Sequence, residues 1–171
     1  KPKQQNYISF YPSKLEPEFV NTPYIRLIVR IIPRNNIPTI FTGRNQEDIN
    51  IAIDKIKSPL AYGIPLDFSN RTSVHNFINS VDKQYLKPSI IIHNAGYLSL
   101  RPREKDTNVE KLFMVNAIGP IVITEHFLPS LLESNYGHVI FNSPPLIYDE
   151  KVKWLLPYMQ SKLAQTSYMK S

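Results

Sequence analysis

The sequence predicts an open α/β fold, in which a mostly parallel, doubly wound sheet carries helices on both faces. From Ile37 onward, short apolar runs alternate with helical patterns of about a dozen residues, which is typical of repeated strand–helix–strand units. Residues 89–93 are almost continuously apolar, as expected of a central strand covered on both faces. The 171 residues, 42% of them hydrophobic, suffice for one domain with a sizeable core. We therefore expect a single three-layer domain with strand order 3-2-1-4-5.

Five segments have the composition of strands. They cover residues 7–11, 38–42, 62–66, 89–93 and 138–141. Gly43 follows the second of these segments and Asp67 follows the third, and both residue types favour turns. The rest of residues 1–22 shows no clear periodicity and is expected to form an irregular N-terminal segment.

Helical patterns lie between and after these strands. They cover residues 24–32, 46–57, about 70–81, 107–133 and 158–170. Asn45 can cap the second helix, and Asn70 or Thr72 can cap the third, because their side chains accept hydrogen bonds from the first free N–H groups. Gly119-Pro120 predicts a kink inside the fourth helix. Pro157 is tolerated only in a first turn, so it places the start of the last helix.

The net charge of +6 does not by itself identify a partner. The basic residues are spread along the chain, and the densest stretch, residues 101–106, is interrupted by acids and is interpreted as a solvated loop. No helix-turn-helix, RNP or zinc signature occurs, and the four histidines lack metal-ligand spacing. A nucleic-acid binder therefore rests on net charge alone, and neither a nucleic acid nor a metal is expected.

Cysteine is absent, which excludes disulfides and fits a reducing compartment. No apolar run is expected to reach the length of a membrane span, and the first residues do not resemble a signal peptide. We therefore expect an intracellular, cytoplasmic protein without a membrane span, with an organelle left open.

Tyr158 and Lys162 lie four residues apart on the predicted last helix, so they share one face of it. An ammonium group lowers the cost of a phenolate, so such a pair suits proton transfer near neutral pH. The pair alone is weak evidence, because a tyrosine beside a lysine that reaches for solvent would look the same. The rest of the chain decides between the two interpretations.

Residues with ligand-binding chemistry follow four of the predicted strands. They are Gly43-Arg44, Asp67, Asn94-Ala95-Gly96 and Ser143. Parallel sheets bind ligands beyond the carboxyl ends of their strands. Each residue has an ordinary alternative as a turn or cap residue, but their common placement predicts a binding site at one edge of the sheet.

Six segments, in their order and spacing, resemble the short-chain dehydrogenase/reductase family. They are Thr42-Gly43-Arg44-Asn45, Leu66-Asp67-Phe68, Ile92-His93-Asn94-Ala95-Gly96, Met114-Val115-Asn116-Ala117, Gly137-His138-Val139-Ile140-Phe141-Asn142-Ser143 and Tyr158-Met159-Gln160-Ser161-Lys162. The resemblance covers residues 24–171 and implies a Rossmann-type dinucleotide-binding domain with oxidoreductase activity. Ser143-Pro144-Pro145-Leu146 looks like the branch that contains the hydroxysteroid-dehydrogenase-like proteins.

The resemblance implies four catalytic residues. Tyr158 would be the general acid that protonates a substrate carbonyl as hydride arrives from the nicotinamide. Lys162 would hold the nicotinamide ribose and lower the pKa of Tyr158. Ser143 would hydrogen-bond the substrate oxygen. Asn116 would break the long helix locally and anchor a water in a proton relay to Lys162.

The resemblance also implies a cofactor site. Asn94, Ala95 and Gly96 would line it under the adenosine ribose, and Asp67 would accept a hydrogen bond from the adenine. Arg44 follows the strand that faces the adenosine 2′ position, where a guanidinium can fork onto a phosphate. NADP is therefore favoured over NAD.

The chain departs from the family pattern in two places. The family's glycine-rich turn would fall near Phe19, Pro23 and Ile25, none of which is glycine, so either the N-terminal segment is rearranged or dinucleotide binding is impaired. The chain also stops soon after Lys162, so the domain is expected to be shortened at its C-terminal end, and a homo-oligomer is expected only if further C-terminal parts exist.

Two functions remain open on this evidence. The first is NADP(H)-dependent oxidoreduction of a small carbonyl or alcohol substrate. The second is a non-catalytic subunit or fragment of the same fold that serves as a binding or assembly module. The missing glycines favour the second, whereas the retention of Asn116, Ser143, Tyr158 and Lys162 favours the first.

Overall fold

The computed structural model describes residues 8–10, 37–84, 86–98, 109–142 and 156–171. Within these residues one five-stranded sheet has the order β3-β2-β1-β4-β5, and all neighbouring strands are parallel. The strands are β1 (Ile8–Phe10), β2 (Thr39–Gly43), β3 (Ala61–Pro65), β4 (Ile90–His93) and β5 (His138–Phe141). The predicted strands and their order are confirmed. The central strand, β1, lies within the strand predicted over residues 7–11.

The described helices follow the predicted positions closely. They are α1 (Gln46–Ile56), α2 (Arg71–Lys83), α3 (Val109–Phe113), a π-helical segment (Met114–Ile118), α4 (Gly119–Glu133) and α5 (Leu156–Tyr168). Together with the parallel sheet they form a doubly wound α/β fold of the Rossmann type. The helix predicted over residues 24–32 and the glycine-turn positions Phe19, Pro23 and Ile25 lie outside the described residues.

Asparagine side chains begin the first two helices, as predicted. Asn45 Oδ1 accepts from the N–H of Asp48 at 2.8 Å, and Asn70 Oδ1 accepts from the N–H of Ser73 at 3.2 Å. The first helix ends at Lys57, which has a left-handed φ of 54° and donates its N–H to the Ile53 carbonyl at 3.1 Å. These caps fix where the chain enters and leaves α1 beside the sheet edge.

Helices cover both faces of the sheet. Side chains alternate along β2, so Ile40 belongs to one core cluster and Phe41 to the other. The larger cluster is completed by residues of α2 and α4: Val74, Phe77, Ile78, Val81, Ile123, Phe127 and Leu131. On the opposite face, Ile53 and Ile56 of α1 pack against Phe41. The alternating strands thus account for the three layers.

The long helix predicted over residues 107–133 is helical from Val109 to Glu133, but its middle five residues form a π-helix. The irregularity therefore lies one turn before the kink predicted at Gly119-Pro120. Pro120 fits because it occupies the first turn of α4. A methyl group on Gly119 would come within 2.5 Å of Phe68 Cδ1, so glycine allows the helix to approach that ring.

The same stretch, Val109–Glu133, is long and apolar enough to cross a bilayer by length and composition, with a mean hydropathy of 1.4. The predicted absence of a membrane span is therefore not confirmed. Just over half, 56%, of an 18-residue window within this stretch is buried inside the fold. The packing of α4 against the sheet explains why these buried residues are apolar.

Candidate active site

The parallel strands bring their carboxyl ends to one edge of the sheet. Gly43 is the register partner of Pro65, and His93 is the register partner of Phe141. The residues that follow these strand ends are Arg44, Asp67, Asn94, Ala95, Gly96 and Asn142. The predicted residues therefore share one edge, and Ser143 lies outside the described residues.

Asn116 connects three parts of this edge. Its Oδ1 accepts from the N–H of Tyr97 at 2.7 Å, and its Nδ2 donates to the Tyr97 carbonyl and to Ser161 Oγ, both at 2.9 Å. Asn116 is fully buried in the π-helical segment, and Ser161 is fully buried in α5. A buried amide with all these partners rigidly joins the loop after β4 to α5. The structure thus shows a bracing role for Asn116, while the predicted water relay remains a prediction.

The ammonium of Lys162 points into the protein. Nζ donates to the main-chain carbonyl of Asn142 at 2.9 Å and to Gln165 Oε1 at 3.3 Å, and Lys162 is only 2% exposed. Burial lowers the pKa of Lys162 from 10.5 to about 8, because a charged amine loses its hydration there. The first contact ties α5 to the end of β5, one residue before Ser143.

Tyr158 is half-buried at the start of α5, one turn before Lys162. Its carbonyl accepts from Ser161 Oγ at 2.7 Å, so the hydroxyl that binds Asn116 also binds the Tyr158 main chain. Burial raises the pKa of the Tyr158 phenol. The lowering of this pKa by Lys162 that the family resemblance implies remains a prediction; within the described residues, the ammonium donates to Asn142 and Gln165.

The loop after β4 is held against the end of β5. Asn142 Nδ2 donates to Asn94 Oδ1 at 2.8 Å, and the N–H of Asn142 donates to the His93 carbonyl at 3.0 Å. Ala95 is buried in the larger core cluster. A methyl group built on Gly96 would meet, among the described residues, only Asn116 Oδ1 at 3.9 Å, an ordinary contact. The fold itself therefore does not require glycine at position 96.

Asp67 and Arg44 lie farther along the edge. Asp67 Oδ1 accepts from the N–H and hydroxyl of Ser69 at 2.8 and 2.7 Å, which is the turn role weighed for it from the sequence. Arg44 is exposed directly after β2. The nucleotide contacts predicted for both residues remain predictions.

A buried histidine lies behind the site. His93 Nε2 is 2.8 Å from Thr124 Oγ1, and Thr124 donates its hydroxyl to the Pro120 carbonyl at 2.9 Å. Since that hydroxyl has one proton, Nε2 must be the donor to Thr124. Burial, and secondarily the charge of Lys162, lowers the pKa of His93 to about 3. His93 is therefore neutral at physiological pH and joins β4 to α4.

The structure adds residues to which the sequence analysis assigned no role. They are His93, Tyr97, Thr124, Asn142, Ser161 and Gln165. In α5 a signal existed: Ser161, Lys162 and Gln165 are buried, while Leu163 is 54% exposed and Met169, just beyond the helix, is 52% exposed. Lys162 and Gln165 lie one and four positions after Ser161, so the three residues share one face of the helix. This spacing could have shown from the sequence that a polar stripe faces the interior.

Known proteins share this arrangement of sequence and fold. Human 17-beta-hydroxysteroid dehydrogenase 13 is 33% identical over 110 residues, which span 63% of this chain and 36% of that protein. A metagenomic short-chain oxidoreductase solved with NADP has a TM-score of 0.76 and 17% identity over 98% of this chain and 75% of the other. A 4-hydroxyisoleucine dehydrogenase solved with NADH has a TM-score of 0.74 and 21% identity, covering 97% and 65% of the two chains.

The family model for short chain dehydrogenases matches residues 26–171. That range includes every described element except β1, together with Asn116, Tyr158 and Lys162. The matched relatives are considerably longer: this chain covers well under half of the human protein. On its sequence and its fold, the chain belongs to the short-chain dehydrogenase family of oxidoreductases.

Proposed function

We propose that this chain carries the catalytic and adenosine-binding part of an NADP(H)-dependent oxidoreductase that interconverts a carbonyl and an alcohol. One observation carries the proposal. A continuous set of hydrogen bonds through Asn116, Ser161 and Lys162 fixes α5 against the ends of β4 and β5. This set holds Tyr158 beside the sheet edge at which parallel α/β folds bind their ligands.

Tyr158 is the proposed proton donor to the substrate oxygen. Its raised pKa keeps the phenol protonated at neutral pH, as a general acid must be before it reacts. The hydrogen bond from Ser161 to the Tyr158 carbonyl orients the helix turn that carries the ring. Lys162 is the proposed partner of the nicotinamide ribose, and Ser143 is the proposed partner of the substrate oxygen.

The described residues fit the adenosine end of such a cofactor. Position 96 has no side chain, and among the described residues a methyl group there would meet only Asn116 Oδ1, at 3.9 Å, so a ribose can approach the loop after β4. Arg44 offers a guanidinium to a 2′-phosphate, and Asp67 Oδ2 would accept from the adenine because Oδ1 already serves Ser69. When bound, the nicotinamide cofactor supplies or accepts the hydride.

The test is oxidation of a panel of alcohols in the presence of NADP+, including a 17-beta-hydroxysteroid, the class named for the human relative. We expect Tyr158→Phe to reduce turnover by at least about 100-fold while NADP+ affinity stays nearly unchanged, because only the hydroxyl is removed. Lys162→Ala should lower both turnover and NADP+ affinity. Tyr168→Phe is the matched control: its hydroxyl donates to Glu125 at 2.7 Å at the other end of α5. Retention of most activity by Tyr158→Phe would falsify the assignment.

One observation favours a non-catalytic binding module instead. The Lys162 ammonium is turned into the protein, where it donates to the Asn142 carbonyl and to Gln165 Oε1. Turnover, measured on samples shown by calorimetry to bind NADPH, separates the two functions. A binding module would take up NADPH without turnover in wild type and in Tyr158→Phe alike, whereas the enzyme shows the turnover difference described above.

A further inference from the structure

Gln165 is a buried amide with half of its hydrogen-bonding capacity unused. It is fully buried in α5, and its Oε1 accepts from Lys162 Nζ at 3.3 Å. Its Nε2 is buried and has no hydrogen-bond partner in the part of the chain that the structure describes. An unpaired buried N–H group is rare in folded proteins and destabilises them, so its retention needs a physical reason.

The neighbouring lysine supplies that reason. An ammonium group has only donors, so the amide must present its oxygen to Lys162 and turn its nitrogen away. A neutral amine, in contrast, has a lone pair that can accept a hydrogen bond. Rotation of the same amide by half a turn would then place Nε2 against Nζ, while Nζ continues to donate to the Asn142 carbonyl.

We propose that Gln165 is the positioning residue of Lys162: its amide oxygen holds the charged ammonium, and its amide nitrogen holds the neutral amine after the side chain flips. The unpaired N–H group of Gln165 thus becomes the hydrogen-bond donor to the neutral form of Lys162. The proton that Lys162 loses passes to bulk water as the pH rises. Lys162 then keeps one position relative to Tyr158 in both states.

This inference deepens the proposed function, on which its meaning for catalysis rests, but its test reads the charge of Lys162 directly. A full-length sample with lysine carbon-13 labelled at Cε is titrated by NMR from neutral to alkaline pH. The Lys162 signal is identified by its disappearance in Lys162→Met. An oxidoreductase assay that fails while this titration gives the expected result would overturn the activity and leave the positioning role standing.

Two substitutions shift the titration midpoint of Lys162 in opposite directions. Gln165→Glu places a carboxylate beside the ammonium and should raise the midpoint by about one pH unit or more. Gln165→Met keeps the volume but removes the acceptor, so the midpoint should fall below that of the wild type. Thr166→Val is the control, because the Thr166 hydroxyl donates to the main-chain carbonyl of Lys162, at 2.9 Å, and not to its ammonium, so the midpoint should not move.

A merely structural role predicts a different pattern. Loosened packing would admit water to Lys162 and raise its midpoint in both Gln165 variants alike. The wild type provides a measurement that needs no variant: the Gln165 side-chain NH2 signals should shift with the same midpoint as Lys162. The proposal would be overturned if the Gln165 signals did not shift at the midpoint of Lys162. It would also be overturned if Lys162 titrated in the Gln165 variants as it does in the wild type.

Discussion

At the scale of single residues, the site depends on polar side chains that are buried and paired. Asn116, Ser161 and Gln165 are each fully buried, and Lys162 is nearly so. In such surroundings a hydrogen bond is strengthened and an unpaired group is costly. Two titratable groups beside these residues, Lys162 and His93, both have lowered pKa values, because burial penalises their charged forms.

Lys162 should make the stability of the protein depend on alkaline pH. Its pKa is about 8 in the folded protein and 10.5 when unshifted, so between these values the unfolded chain binds more protons and stability rises with pH. The stabilisation is complete above 10.5 and is lost as the pH falls through 8. We expect the free energy of unfolding of wild type to gain up to about 3 kcal/mol over this window relative to Lys162→Met. Urea unfolding of both proteins at pH values across the window measures it, and parallel curves would contradict the prediction.

Thr124 should stabilise the fold as the acceptor for His93. Thr124→Val removes the hydroxyl and leaves the His93 Nε2–H buried without a partner, which should lower the free energy of unfolding by about 1–3 kcal/mol. Thr124→Ser retains the hydroxyl and should recover most of the loss. Chemical denaturation at neutral pH compares the three proteins. A serine variant as unstable as the valine variant would show that the methyl group, and not the hydrogen bond, is responsible.

At the scale of the elements, the ends of helices and strands decide where the site residues stand. The asparagine caps start α1 and α2 immediately after the loops that carry Arg44 and Asp67. The parallel register of β4 and β5 aligns Asn94 and Asn142 for their hydrogen bond. One helix end is strained: Lys57 adopts the left-handed conformation that glycine adopts at little cost.

Lys57→Gly should therefore stabilise the protein by about 0.5–1 kcal/mol, because it removes the steric penalty of a Cβ at positive φ. Lys55→Gly is a suitable control. Lys55 is an exposed lysine inside the last turn of α1, where glycine should destabilise by about 1 kcal/mol. Thermal and urea unfolding should give opposite signs for the two variants. The same sign for both would refute the conformational argument.

At the scale of the whole molecule, the fold followed from the sequence more completely than the site did. The strand positions and the caps at Asn45 and Asn70 were predictable because they rest on local patterns, namely apolar periodicity and the residue types at helix starts. The strand order followed from the doubly wound fold class and not from a local pattern. The roles of Thr124 and Gln165 were not predictable, since their partners lie on other elements or depend on which face of a helix is buried. The burial that raises the pKa of Tyr158 was not predictable for the same reason, since burial is a tertiary property.

The cofactor preference is a property of the assembled sheet edge. Arg44 can form a charge-assisted pair with a 2′-phosphate, typically about 1.5–3 kcal/mol when well formed. We expect NADPH to bind more tightly than NADH, though weakly, because the pyrophosphate lacks the glycines of the family turn at Phe19, Pro23 and Ile25. Arg44→Asp should abolish the preference. Calorimetric titration with both cofactors measures it: an NADH preference in wild type contradicts the role of Arg44, and tight binding contradicts the role given to the missing glycines.

The π-helical segment changes how the faces of α3 and α4 align with each other along the long helix. Its wider turn holds an additional residue, so α3 and α4 stand about 100° out of phase with a single α-helical wheel. Removal of one residue, such as the 41% exposed Ile118, would let the two helices join in one α-helical phase. Asn116 would then rotate away from Tyr97 and Ser161 although its chemistry is unchanged. The position of this asparagine is thus encoded by how many residues surround it as much as by which residues they are.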